Sequence, residues 1–419
     1  MIDLTSLPNP QRRALDIVKE VAAEKNCRPF LVGGPVRDLL LGRQVIDIDV
    51  TLEDGASTLA RALAKAINGR VRSFPQFLTY KVTAVDLPEI DIATARREKY
   101  RHPGALPSVT AGKLKDDLIR RDFSINALAL DLTNGALHDP ANGERDLHDR
   151  LIRVLHDASF ADDPTRIFRA VRLASRLDFT FDPHTGALLR TAVAAGALGH
   201  ISRERVWREL FLAFDEGQAP RIVDSLSELG ALDVLFGARP RDPELRARLE
   251  SVRRQAEADA ELDREVMFTA ALLHGNASPL DVEGSGFSQK RTRNVIQIAN
   301  ELGRFQEGLA EANDDRQRFT ILRNASAEAL SVLAAIAPDE GPHIARFGEF
   351  ERFRLPLRGN DLEVPPGPHV AQALERTREA VFSGEIEATD ARAFARRVAM
   401  EYLQKDEGGR ATDGGQSAL

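Results

Sequence analysis

Asp47 and Asp49 stand two residues apart in the stretch VIDIDV, where apolar and acidic residues alternate. Alternation of period two predicts a strand over 45–52 with both carboxylates on one face. Side by side they repel each other and are costly to strip of water, and a divalent cation between them removes both difficulties. Such ions serve phosphate chemistry. One lowers the pKa of an attacking hydroxyl, and a second neutralises a leaving pyrophosphate. An isolated Asp-x-Asp is more often a solvated strand face, so its surroundings decide.

The surroundings point the same way. Gly33 and Gly34 precede a short helical pattern, where free N–H groups suit a triphosphate, and Arg37 adds positive charge in the first turn. The pattern is not Gly-x-Gly-x-x-Gly, which argues against a nicotinamide or flavin site. Asp91, on an alternating strand with Glu89 as a nearby rival, is the candidate third carboxylate. In LIRRDFSINALAL (118–130), Arg120 and Arg121 precede Asp122, with Asn126 four residues on. That spacing places Asp122 and Asn126 on one helix face. Arginines suit phosphates, while Asp and Asn suit a ribose hydroxyl or a base edge. In DDPTRIFRAVRLASRLDF (162–179), Pro164 opens a helix on which Arg166, Arg169, Arg172 and Arg176 form a basic stripe. Charge at such spacing is usually a solvated face.

These residues need a scaffold. Residues 1–135 predict mixed α/β structure, with a long polar loop over 95–112, and after Phe123 the pattern is nearly all helical to about 397. The Gly-rich end reads as a disordered tail. With 419 residues, 43 % hydrophobic and 29 % charged, the chain has the composition of a soluble protein of two to four domains. The net charge of −7 argues against coating nucleic acid by bulk electrostatics, yet leaves room for a local basic cleft. No apolar run suits a membrane span or signal peptide. Cys27, the only cysteine, excludes an internal disulfide and fits a reducing cytoplasm.

In this order and spacing, LVGGPVRDLLLG…IDIDV, RRDFSINALAL and DDPTRIFRAVRLASRLDF resemble the class II tRNA nucleotidyltransferase/poly(A) polymerase family. ISRERVWREL (201–210) resembles its fifth motif, and LRGNDLEVPPGPHVAQAL (357–374) the tail segment of many members. The resemblance implies an α+β fold: a polymerase-β-like nucleotidyltransferase head over 1–135, then a helical neck (136–200) with a base-selecting element. A helical body (201–300), a helical tRNA-binding tail (301–403) and a disordered C-terminus (404–419) would follow. It implies two Mg²⁺ ions with ligands at Asp47 and Asp49, and triphosphate contacts from Gly33, Gly34 and Arg37. Ribose and nucleotide contacts fall around Arg121, Asp122 and Asn126, with the cationic face of Arg169 and Arg172 alongside.

The family's base-pairing Glu-Asp-x-x-Arg element reads Asp162-Asp163-Pro164-Thr165-Arg166 here, with Asp162 where glutamate is usual. Its logic follows from base chemistry. Cytosine and adenine each present an amino donor beside a ring-nitrogen acceptor. Asp163 can accept from the first and Arg166 donate to the second, whereas guanine and uracil carry the reverse polarity. The implied activity is addition of C and/or A to the 3′ end of tRNA from CTP and ATP, with the acceptor stem and elbow gripped by the helical part. A bacterial poly(A) polymerase is the runner-up and an inactive RNA-binding member a remote third. His274 falls where some relatives carry a His-Asp phosphohydrolase motif, but Gly275 follows it, so that activity is not expected.

Overall fold

A computed structural model describes residues 4, 7–237, 242–275, 277–353 and 355–413, with side chains as far as 405. The chain divides into two compact units, Met1–Arg241 and Asp242–Leu419, so the boundaries expected at 135, 200 and 300 all fall inside a unit.

In the first unit the strands are β1 (Phe30–Val32), β2 (Ile48–Leu52), β3 (Arg70–Phe74), β4 (Thr79–Thr83), β5 (Ile90–Thr94), β6 (Arg96–Lys99), β7 (Ser108–Ala111), β8 (Ala129–Asp131), β9 (Leu137–His138), β10 (Leu151–Ile152) and β11 (Thr180–Phe181). Helices α1 (Asn9–Glu24), α2 (Gly34–Leu40), α3 (Ala56–Ala66), α4 (Leu114–Ile119), α5 (Gly143–His148) and α6 (Ser159–Asp162) alternate with them. Five more follow: α7 (Thr165–Leu177), α8 (Pro183–Ala194), α9 (Arg203–Phe214), α10 (Ala219–Glu228) and α11 (Asp233–Phe236). Seven strands form one mixed sheet in the order β3-β4-β5-β2-β1-β8-β9. β2 lies near its centre, parallel to β5 and antiparallel to β1, which is why Ile48, Val50 and Leu52 are all buried. Leu59, Ala60 and Leu63 of α3 are buried with Ala14, Leu15 and Val18 of α1, the apolar stripes of two amphipathic helices.

The structure corrects three expectations. Segment 95–112 is a β-hairpin, β6 pairing β7 antiparallel with Arg96 opposite Ala111 and Lys99 opposite Ser108. Pro103, Gly104 and Pro107 lie in the connection and Gly112 just beyond β7, so a Pro/Gly-marked segment need not be a loop throughout. The chain after Phe123 is not immediately helical. β8 closes the sheet against β1, and β9 carries it past residue 135. These strands are too short for period-two alternation to show. Lastly, helical backbone continues beyond 404, where a disordered end is expected, because the i→i−4 bonds of the preceding helix carry it on to Asp413. Residues 414–419 of that expected tail lie outside the described residues.

The second unit is helical: α12 (Leu245–Ala258), α13 (Arg264–Leu272), α14 (Gln289–Glu311), α15 (Asp315–Leu322), α16 (Ala327–Ile336), α17 (Gly341–Phe353), α18 (Pro368–Phe382) and α19 (Ala391–Asp413). Phe319, Phe347 and Phe382 meet at centroid distances of 5.4 to 5.9 Å, joining α15, α17 and α18 by edge-on and tilted ring contacts.

In the first unit, Gly143 at the start of α5 packs on the single 3₁₀ turn Ser124–Asn126, where a Cβ would collide with the Ser124 carbonyl. Gly143→Ala should therefore destabilise the protein by about 1–3 kcal/mol. Thermal unfolding of the full chain should show it as a lowered midpoint for the transition of the first unit.

Candidate active site

Beside the sheet's central strand, α2, α7 and the hairpin connection frame a cleft of about 650 Å³. Asp47 and Asp49 line it, Asp47 exposed and just before β2, Asp49 half-buried within it. Burial, with the neighbouring carboxylates of Asp91 and Asp47, pushes Asp49 up to about 6 despite Arg121 and Lys81. Asp91 faces Asp49 in register across the β2–β5 pair. Its Oδ1 is buried without a hydrogen bond and lies 3.4 Å from the Lys81 ammonium, an ion-pair distance with poor hydrogen-bond geometry. Lys81 also bonds Glu89.

A divalent cation would fit beside these acids. The Asp49 carboxyl, pushed toward protonation, is what a cation would relieve. Among the described residues no three His, Cys, Asp or Glu side chains converge to hold a metal by themselves. Such a donor set would suit Mg²⁺ held by one or two carboxylates, Asp47 and Asp49, with phosphate oxygens completing the shell.

Facing these acids is a mesh of arginines, each tied to the protein. Gly33 adopts φ 74°, and a Cβ there would strike the Arg121 guanidinium, so glycine lets Arg121 lie across the start of α2. Arg121 donates to Asp117 at 3.1 Å, and Arg120 to the same carboxylate at 2.7 Å and to Glu98 at 2.9 Å. Burial would raise Asp117, but Arg121 and Arg120 hold it below the usual carboxylate range. Arg37, 4 % exposed, forks onto Asp38 with both bonds at 2.9 Å and reaches Asn126 Oδ1 at 2.7 Å. Asn126 Nδ2 donates in turn to Asp122 Oδ1 at 3.0 Å, so the pair expected to share a face does meet, although through a 3₁₀ turn and not an α-helix. The intervening Phe123 is extended and fully buried, which breaks the helix expected there.

The cleft's other wall is α7. Arg166 is buried, its Nη1 donating to Ser159 Oγ at 2.7 Å and its Nη2 to the Arg120 carbonyl at 2.8 Å. Two of its five N–H groups are thus used. Asp163 precedes the helix, half-buried, and lines the cleft with Arg166. Arg169 binds Asp122 at 2.6 Å, while Arg172 bonds Glu209 at 2.9 Å and Glu216 at 3.2 Å. The stripe is therefore counter-charged from within and not a plain solvated face.

Comparison with known proteins gives this arrangement a family. The model of the poly A polymerase head domain matches residues 29–153, and that of the "probable RNA and SrmB- binding site of polymerase A" matches residues 178–248. A solved CCA-adding enzyme in apo form superposes with a TM-score of 0.82 at 25 % identity, over 96 % of this chain and 97 % of that one. A solved tRNA nucleotidyltransferase, complexed with a primer tRNA and an incoming ATP analog, is 30 % identical over 80 % of this chain and 98 % of its own, with a TM-score of 0.66. The chain belongs to the tRNA nucleotidyltransferase/poly(A) polymerase family. The A-adding tRNA nucleotidyltransferase of Aquifex aeolicus is 43 % identical over half of this chain. Against three such curated relatives, the matched region spans 26 %, 26 % and 57 % of their own lengths.

Of the residues that the tRNA nucleotidyltransferase motifs single out, Asp47, Asp49, Gly34, Arg37, Arg121, Asp122, Asn126, Asp163, Arg166, Arg169 and Arg172 line one cleft. Gly33 stands behind Arg121. Asp91 and Asp162 do not line it. Asp162 ends α6 at 4.0 Å from His156, and Arg166 is anchored by Ser159 and Arg120 instead. Glu98, Tyr100, Leu106 and Arg205 also line the cleft and were not singled out. Tyr100 donates to Glu98, and burial beside that carboxylate pushes its hydroxyl up to about 12. Asp117 had a readable signal, since it precedes Arg120 and Arg121 by three and four residues. For Arg205 the partners lie far away in sequence.

Burial works to raise Asp122, but Arg169 and Asn126 outweigh it and hold the carboxyl well below its usual range. A depressed carboxylate contributes stability that is present above its unfolded pKa of about 3.9 and is lost as pH falls toward the folded value. Arg169→Met strands a buried charge and should cost about 3–5 kcal/mol at neutral pH. It should also flatten the acid limb of the stability curve, which melting midpoints from pH 7 down to 3 would reveal.

Proposed function

We propose that the chain is a template-independent nucleotidyltransferase that adds C and/or A to the 3′ end of tRNA, using CTP, ATP and two Mg²⁺ ions. The observation that carries this reading is the meeting of Asp163 and Arg166 with Asp47 and Asp49 in one cleft. A base-reading pair beside a metal-binding pair permits selection of a nucleotide with no nucleic-acid template.

Asp47 and Asp49 would hold the ions, which when bound would supply the charge that activates a 3′-hydroxyl and neutralises pyrophosphate. The protein does the rest. Asp163 accepts from the amino group of cytosine or adenine, and Arg166, with three N–H groups left, donates to the ring nitrogen. Arg37 and Arg121 present guanidinium edges to the triphosphate, and Asn126, fixed between Arg37 and Asp122, borders the ribose position. Arg169 and Arg172 extend the cationic wall. The likeness to a tRNA-bound structure supports a role for the helical part in holding acceptor stem and elbow by shape and phosphate contacts. No helix among the described residues is long and apolar enough to cross a membrane, and the lone cysteine suits a cytoplasmic enzyme.

Three versions of one tRNA transcript, ending at the discriminator base, after C and after CC, test the reading. With Mg²⁺, CTP and ATP, growth of the first to full CCA identifies a complete CCA-adding enzyme. A stop at CC identifies a CC-adding one, and extension of only the last an A-adding one. Asp49→Asn should lower the rate at least about a hundredfold. Long A tails on unstructured RNA, with no extension of tRNA, would instead make it a poly(A) polymerase, the other activity its head domain supports.

A further inference from the structure

Asp163 has a second partner that base reading does not need. Its Oδ1 accepts from Thr165 Oγ at 2.8 Å, from Thr165 N at 3.3 Å and from Arg205 Nη2 at 2.8 Å. Three donors on one oxygen exhaust its capacity, while Oδ2 has no protein donor among the described residues. The carboxylate is therefore pinned by one oxygen and open at the other, and it lines the cleft.

Arg205 is itself held. It sits in the first turn of α9, and its Nη1 donates to the Gly104 carbonyl at 2.9 Å. Gly104 is fixed from two further sides. Its N–H donates to the Ala161 carbonyl at 3.1 Å, and at φ 72° its Cα lies so close to His200 that a Cβ would stand 2.6 Å from the His200 carbonyl oxygen. Arg205 thus spans two acceptors with one rigid fork, a geometry that lysine cannot reproduce.

We infer that Arg205 is a positioning residue for nucleotide selection: by holding Asp163 Oδ1 it presents Oδ2 in one orientation to the amino group of the incoming base. The inference rests on the base-reading role proposed for Asp163 and goes beyond it. Without Arg205 only the two Thr165 bonds hold Oδ1, so the carboxylate can turn away from the base. That loss falls on cytosine and adenine, which present an amino donor there, and not on uracil and guanine, which present a carbonyl.

The test is steady-state addition of single nucleotides to the tRNA transcript that the enzyme extends, comparing kcat/KM for its cognate nucleotide with that for UTP and GTP. Arg205→Met should narrow this ratio by about tenfold or more, with Arg205→Lys between it and the parent. A residue that merely supports the fold would lower all nucleotides by one factor, so a uniform loss overturns the inference. Asp163→Ala separates the two claims. If it leaves the ratio intact, base reading by Asp163 falls and the inference with it. If it collapses the ratio while Arg205→Met does not, only the inference falls. In the Asp163→Ala background, adding Arg205→Met should change the ratio no further, and an additive loss would again count against the coupling.

Discussion

The carboxylate of Asp122 is the interaction on which the cleft depends. It accepts from the Phe123 N–H at 2.9 Å, from Asn126 at 3.0 Å and from Arg169 at 3.0 and 2.6 Å, with only 7 % of the residue exposed. One side of that set belongs to the sheet-bearing half of the first unit and the other to α7. An ion buried so fully is tolerated only when its acceptor sites are filled, so each donor is held where the carboxylate requires it. Asn126 passes the constraint to Arg37, which turns its fork onto Asp38. The carboxylates proposed to bind metal and the pair proposed to read the base thereby keep a common frame.

A second constraint comes from the sheet. Parallel pairing of β2 with β5 puts Asp49 and Asp91 side by side, and Arg121 and Lys81 ease the repulsion only in part. Stability is given up where the proposed site would bind charge, as expected where function and folding conflict. The glycine at 33 belongs to the same compromise, because its left-handed backbone clears the space that Arg121 fills.

Much of this was legible in the sequence, and the reasons differ by residue. Asp49 could be read from the period of β2, and Asp47, just before that strand, from its spacing of two from Asp49. Asp122 and Asn126 could be paired because they lie four residues apart, although the turn that joins them is 3₁₀. Arg166 was identified from its place in a motif, but its anchoring by Ser159 and the Arg120 carbonyl was not, since one of those contacts spans 46 residues. Arg205 and Gly104 are separated by 101 residues and meet through a backbone carbonyl, which carries no side-chain signature at all. The hairpin of β6 and β7 was hidden by the Gly and Pro residues of its own connection. Asp162 was misleading for the opposite reason: adjacency in sequence to Asp163 does not bring it to the same cavity.

The arginines of the cleft are numerous, yet Arg37, Arg120, Arg121, Arg169, Arg172 and Arg205 each already bear a carboxylate. A polyphosphate entering there meets guanidinium groups whose charge is partly spoken for, and it gains orientation more than raw attraction. The same arrangement governs departure. A polyphosphate product leaving such a cleft would return the guanidinium groups to these acids, with no bare cluster of cations to hold it back. Turnover in such a cleft is eased by charges that were balanced before the ligand arrived.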